Sequence, residues 1–169
     1  IVPIGKWILQ QACETLAHWA KDPARVHLTV AVNISVVQFS RNDFVQVVLN
    51  ALQHAGANPR LLKLEITETL LANNIPDVKA KMEQLQQLGV RFSIDDFGTG
   101  YSSLSYLKQL PLNQLKIDQS FVCDIINSSN DKAIAQAVIT LANTMDLQVI
   151  AEGVETEAQR EMLKSMGCY

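Results

Sequence analysis

The chain has 169 residues, 48 % of them hydrophobic and 18 % charged, which suits one domain with a sizeable core and excludes disorder. Fourteen Lys+Arg against 17 Asp+Glu give a formal net charge of −3, so a general phosphate-backbone binder with a basic face is excluded too. No apolar run approaches the roughly 18 residues of a membrane span, and Cys13, Cys123 and Cys168 lack C-x-x-C spacing, which fits reduced thiols in a cytoplasmic protein.

In chain order, Ile8, Ala12, Leu16 and Trp19 align on one face and predict a helix over 7–19. An apolar, β-branched run over 26–35 predicts the first strand. Ser40 and Asp43 are start signals for a helix over Phe44–Ala55, which Gly56 stops. A second strand is expected over 61–68. Pro76 suits the first turn of a helix that ends at Leu88, with Gly89 just after it. Strands at 90–96 and 114–118 follow. Asn130 or Asp131 then opens a helix with Ile134, Val138, Leu141 and Met145 in one stripe. The last strand covers 147–152, and Thr156 with Gln159 has capping-box spacing ahead of Met162, Leu163 and Met166. No Pro-rich or Gly/Ser-rich linker interrupts this order. Alternation of this kind implies parallel strands joined by right-handed crossovers.

Strand parity carries the most information. Thr29, Ala31 and Asn33 share one face of the first strand; Lys63, Glu65 and Thr67 do so in the second. Arg91, Ser93 and Asp95 follow, then Gln114, Lys116 and Asp118, and finally Gln148, Ile150 and Glu152. The opposite faces hold Val30, Val32, Leu62, Leu64, Ile66, Phe92, Ile94, Leu115, Ile117, Val149 and Ala151. A sheet covered by helices on both faces would show nearly continuous apolar runs. One apolar face, and one that turns polar toward the C-terminal ends, fits a closed β/α barrel with its chemistry in the upper lumen. Such a barrel takes about 250 residues. Five strands in this chain are therefore an incomplete barrel, and the missing strands are expected beyond one or both ends.

Asn33, Glu65, Glu68, Asp95, Asp96, Lys116, Asp118, Glu152 and Glu155 collect at the strand ends. Seven carboxylates on one rim repel one another unless cations neutralise them. An all-oxygen donor set suits Mg²⁺ or Mn²⁺ rather than zinc. Adjacent Asp95 and Asp96 suit two ions, an arrangement that recurs in displacement at phosphorus. Each element alone has a blander reading. Asp-Asp at a strand end is a common turn or helix cap, Lys116 and Asp118 could pair on one strand, and Glu155 could begin a helix. His27 and His54 have no metal-ligand spacing with His18. Five successive strands that end alike are harder to explain singly.

The runs Ala31-Val32-Asn33-Ile34-Ser35, Leu64-Glu65-Ile66-Thr67-Glu68, Asp95-Asp96-Phe97-Gly98-Thr99-Gly100-Tyr101-Ser102-Ser103, Leu115-Lys116-Ile117-Asp118 and Ala151-Glu152-Gly153-Val154-Glu155-Thr156 occur in that order. Together they resemble the EAL-domain cyclic di-GMP phosphodiesterases of bacteria, over essentially all of residues 1–169. The resemblance implies an α/β fold, a modified TIM-like barrel with one antiparallel strand. It also implies hydrolysis of cyclic di-GMP to linear pGpG with Mg²⁺ or Mn²⁺, in second-messenger signalling linked to biofilm and motility, with Ca²⁺ expected to inhibit. By the same resemblance, Asn33, Glu65 and Asp95 hold the first metal, Asp95 bridging, and Asp96 holds the second. Lys116 contacts the hydrolytic water and Glu152 is the general base. Asp118 belongs to the second-metal neighbourhood and Glu155 is a further acidic residue. Glu68 anchors the loop Phe97, Gly98, Thr99, Gly100, Tyr101, Ser102 and Ser103.

The Glu-Ala-Leu motif of the family's first strand is absent, as is the glutamine motif of its last. The chain is thus expected to be an EAL domain truncated at both ends, weakly active or inactive alone. A homodimer is implied, as is a larger parent protein with sensory or GGDEF-type modules, cytoplasmic or membrane-anchored through another domain; no nucleic-acid polymer is expected as partner. The competing readings are an inactive EAL-type receptor or protein-interaction module, disfavoured by the intact carboxylates, and enolase-like chemistry with Lys116 as base. The second leaves the Asp95-Asp96 pair without a purpose.

Overall fold

A computed structural model describes residues 1–72, 74–99 and 104–169. Gly100, Tyr101, Ser102 and Ser103 of the expected loop lie outside the described residues.

Helix α1 covers Val2–Trp19 and strand β1 Val30–Ile34. The short α2 (Val36–Phe39) leads into α3 (Phe44–Ala55), and β2 is Leu62–Thr67. After α4 (Ile75–Gln87) comes β3 (Arg91–Phe97). The short α5 (Leu104–Leu107), β4 (Gln114–Ile117) and the short α6 (Gln119–Cys123) precede α7 (Ser129–Thr144). Strand β5 (Gln148–Ala151) and α8 (Glu157–Ser165) complete the described order.

The first helix starts at Val2 rather than Trp7 and several strand ends move by one residue; one larger shift and two caps differ for local reasons. The first strand begins at Val30 because the Val26 and Leu28 N–H groups donate to the Asp22 and Arg25 carbonyls, both at 2.9 Å, in a turn. Asp43 precedes α3 but does not cap it, since its carboxylate takes two hydrogen bonds from Arg41 at 2.8 and 2.9 Å. Ser35 instead forms a capping box with Gln38 that opens α2. For α7 the cap is Ser128, whose hydroxyl accepts from the Asp131 N–H at 3.2 Å. The expected box of Thr156 and Gln159 is present on α8, and Gly56 closes α3 with a φ of 64°.

The five strands form one sheet in the order β1-β2-β3-β4-β5, every pair parallel. Spatial order that follows chain order, with right-handed crossovers, sets the long helices on one face and leaves the other free to curl into a barrel wall. On the helix-covered face Leu62, Leu64, Ile66, Phe92, Ile94, Leu115 and Ile117 are fully buried. They pack with Met82 and Leu85 of α4 and with Ala135, Ile139 and Ala142 of α7. The opposite face carries the polar set.

Regular parity fails at one place. Ile94 pairs with Leu115, but Phe97 pairs with Ile117, so Asp95 and Asp96 together oppose Lys116 alone. This is a β-bulge, and Asp96 adopts a left-handed φ of 53° within it. The extra residue returns Phe97 to the buried face and lets two consecutive carboxylates serve the same region.

All three cysteines are free; Cys13 and Cys168 are buried and Cys123 is exposed. Burial, with Glu14 nearby, pushes the Cys13 thiol up to about 11. Among the described residues no helix is long and apolar enough to cross a membrane.

Leu64 sits at the centre of the covered face with no exposure. Leu64→Ala is expected to cost about 2–5 kcal/mol of folding stability, read as a lower urea midpoint with an unchanged slope.

Candidate active site

The site grows from one cation. Lys116, on β4, is 9 % exposed, and its Nζ lies 3.1 Å from Glu65 Oε2, 2.9 Å from Asp95 Oδ1 and 2.6 Å from Glu152 Oε1. The partners come from β2, from β3 and from the residue after β5, so the ammonium ties four successive strand ends together. Burial opposes the charge, but the hydrogen bonds that Lys116 donates to Glu152, Asp95 and Glu65 outweigh it and raise the Lys116 pKa above its ordinary value. Lys116 is accordingly a fixed positive charge across the physiological range. Glu152 is the most open of the four, at 36 % exposure, and its backbone N–H is held by the Ile117 carbonyl at 3.1 Å.

Asp96 stands beside this cluster. Burial and the neighbouring Asp95 charge raise its pKa, and a hydrogen bond with Asp118 and the charges of Asp118 and Glu152 add to the shift. Asp118 moves the other way. Burial opposes its charge, yet hydrogen bonds from Ser120 and Asp96 bring its pKa below the ordinary value. Its Oδ1 accepts the Ser120 N–H at 2.9 Å and so caps α6. Asp118 is thus a helix cap rather than the strand-end partner of Lys116, whose ion pairs go to Glu65, Asp95 and Glu152, and its contact with Asp96 keeps it at the site.

Oxygens of Asp95, Asp96 and Glu152 lie within 4.8 Å of one another, close enough to share a cation. Glu65 adds a carboxylate on the adjoining strand, and Asn33 is the register partner of Glu65 on β1. Hard oxygen donors without imidazole or thiolate fit Mg²⁺, Mn²⁺ or Ca²⁺. Glu155 is exposed ahead of α8 and is not part of the three-carboxylate group. Glu68, buried just past β2, accepts the Gly98 N–H at 3.3 Å and thus ties that strand end to the start of the 97–103 segment.

Below the carboxylates is a polar layer that the sequence reading did not single out. Lys63 Nζ donates to Gln114 Oε1 at 2.8 Å, and Ser93 Oγ donates to the same oxygen at 3.3 Å. Its signal was the strand parity, which already placed these three residues on the polar face. The bulge also had a signal: Phe92 and Ile94 set a parity that Phe97 breaks.

A parallel sheet in chain order, with acidic groups gathered round one lysine at its C-terminal edge, defines a barrel-type site whose carboxylates could hold a cation. The EAL domain family matches residues 1–169, and the chain belongs to that family. It is 45 % identical over 168 residues to the bifunctional diguanylate cyclase/cyclic di-GMP phosphodiesterase MucR of Pseudomonas aeruginosa, covering 99 % of this chain and 24 % of that protein. The PaMucR phosphodiesterase in complex with c-di-GMP superposes with a TM-score of 0.94 at 44 % identity, over 99 % of this chain and 68 % of that one. A manganese/c-di-GMP complex of Klebsiella pneumoniae BlrP1 gives 0.80 at 27 % identity, over 96 % and 42 % of the two chains. The chain spans about a quarter of the length of the curated relatives it matches. The family's barrel architecture is the one its sheet order implies.

A carboxyl whose pKa is raised by folding destabilises the folded state once it ionises, and has no such effect at pH values below its unfolded pKa of about 3.9. Asp96→Asn, which also tolerates a positive φ, is expected to raise the melting temperature of the metal-free protein by about 1–3 °C at pH 7. The gain should shrink as the pH falls toward 4, which a pH series of thermal melts would read directly.

Proposed function

We propose that this EAL domain hydrolyses cyclic di-GMP to linear pGpG in a reaction that depends on Mg²⁺ or Mn²⁺. The observation that carries this is the convergence of Glu65, Asp95 and Glu152 on Lys116, with Asp96 alongside. Membership of the EAL family and likeness to c-di-GMP complexes support the substrate.

In this reading Asn33, Glu65 and Asp95 would hold one cation, and Asp96 and Asp118, with Asp95 contributing, would serve a second. Cations held there would supply positive charge against the substrate's phosphates and would make water more acidic. Glu152, the best exposed carboxylate on Lys116, accepts the proton of the attacking water. Lys116 keeps its charge throughout, so it orients that water and steadies a non-bridging phosphoryl oxygen without itself giving up a proton. Glu155 adds negative charge at the rim, and Glu68 anchors the start of the 97–103 segment through Gly98. Exposed Leu104 and Tyr106, just after that loop, support pairing with a second copy. The working compartment is the cytoplasm, inside a longer multidomain protein.

The test is turnover of cyclic di-GMP by the full-length protein, with pGpG resolved by chromatography. Product should form with Mg²⁺ or Mn²⁺, vanish with EDTA, and fail to appear when Ca²⁺ is the only divalent ion. Glu152→Gln should lower kcat by about 10²–10⁴-fold. Tight binding of the dinucleotide with no product in any metal would make the domain a receptor and overturn the hydrolase reading.

A further inference from the structure

Gln159 is a polar side chain buried to 6 % exposure, and the catalytic scheme gives it no part. All its hydrogen-bonding capacity is used. Its Oε1 accepts from the backbone N–H groups of Glu155 and Thr156, both at 2.9 Å. Its Nε2 donates to the carbonyls of Val122 and Cys123, at 3.2 and 3.1 Å. Those two carbonyls close α6; that of Val122 also takes backbone N–H groups from the turn that follows, Ile125 at 3.3 Å among them, and the amide gives both a tie to α8. A capping box needs only the oxygen, and a glutamate at this position would serve equally. The amide nitrogen is therefore explained by α6 and not by α8.

The near end of α6 is at the acidic cluster, where Asp118 caps the helix and hydrogen-bonds Asp96. At that same end the β5–α8 turn presses on Gln119, the first residue of the helix. Gly153 has a φ of +68°, and a Cβ there would lie 2.8 Å from Gln119 Cβ. Glu152 thus stands between two fixed points: its own N–H on Ile117, and the Gln159 clamp that begins at Glu155.

We propose that Gln159 is a positioning residue for Glu152, acting through α6 as a strut that sets Glu152 and Asp118 at a fixed spacing. The proposal rests on the reading of Glu152 as the group that takes the proton from water. Displacements of about 1 Å at such a group can cost about 100-fold in rate. The amide links that carboxylate to the far end of the helix that Asp118 caps.

The discriminating variant is Gln159→Glu, which keeps the acceptor needed for the capping box and removes both donors to α6. In the full-length protein kcat for cyclic di-GMP should fall about 10–100-fold while KM changes less than about twofold. Amide hydrogen exchange should quicken in segments 119–123 and 152–156 and stay unchanged in Phe44–Ala55. Gly153→Ala, which forces the same turn away from Gln119, should give the same kcat-weighted loss. Wild-type hydrolysis with Gln159→Glu equal to it in kcat and in exchange overturns the positioning role. Loss of activity with faster exchange throughout, Phe44–Ala55 included, assigns Gln159 to global stability and overturns it equally. A wild-type protein that never hydrolyses the dinucleotide defeats the reading of Glu152 instead, and the exchange data still decide whether the strut exists.

Discussion

A buried lysine surrounded by carboxylates is the constraint on which the rest of the site depends. Lys116 could not remain charged at 9 % exposure without Glu65, Asp95 and Glu152, and those carboxylates could not crowd together without it. Because each partner ends a different strand, the ion cluster also fixes strand register. A slip of one residue in β2 or β4 would turn Glu65 or Lys116 toward the helices and leave an unpaired charge in the apolar layer. Chemistry and register are enforced by the same contacts.

The bulge at Asp95 and Asp96 resolves a geometric conflict. A regular strand presents consecutive side chains to opposite faces. With two residues set against Lys116, β3 delivers both carboxylates to one rim and still returns Phe97 to the core. Asp96 accepts a left-handed backbone for this, and crowding holds its proton more firmly than usual. Asp118, capped onto its own helix and in contact with Asp96, keeps its charge in exchange. The asymmetry gives one side of the site a shared hydrogen bond where the other has a triple ion pair.

Much of this was legible in the sequence. Alternation along five strands placed Glu65, Asp95, Lys116 and Glu152 on one face, and the acids expected at the strand ends do form a cluster there. Stops at Gly56 and Gly89 and the box of Thr156 and Gln159 marked long helices correctly. The short elements were not legible: α2, α5 and α6 are too brief to have a hydrophobic period, and such helices are held by what they pack against. Asp118 was assigned to a strand end, yet it turns the chain into a helix. The partnership of Asp43 with Arg41, two residues away, could not be told from a cap by residue type alone.

One feature of the thiol set has a practical side. Two of the cysteines are shielded, and the Cys13 thiol is held protonated far above neutrality, so an alkylating reagent at neutral pH meets Cys123 first. That residue ends α6, and its carbonyl is one of the two that Gln159 grips. The native sequence thereby offers a place for a fluorophore or spin probe on the helix linking Asp118 to the Glu152 turn, with no residue replaced.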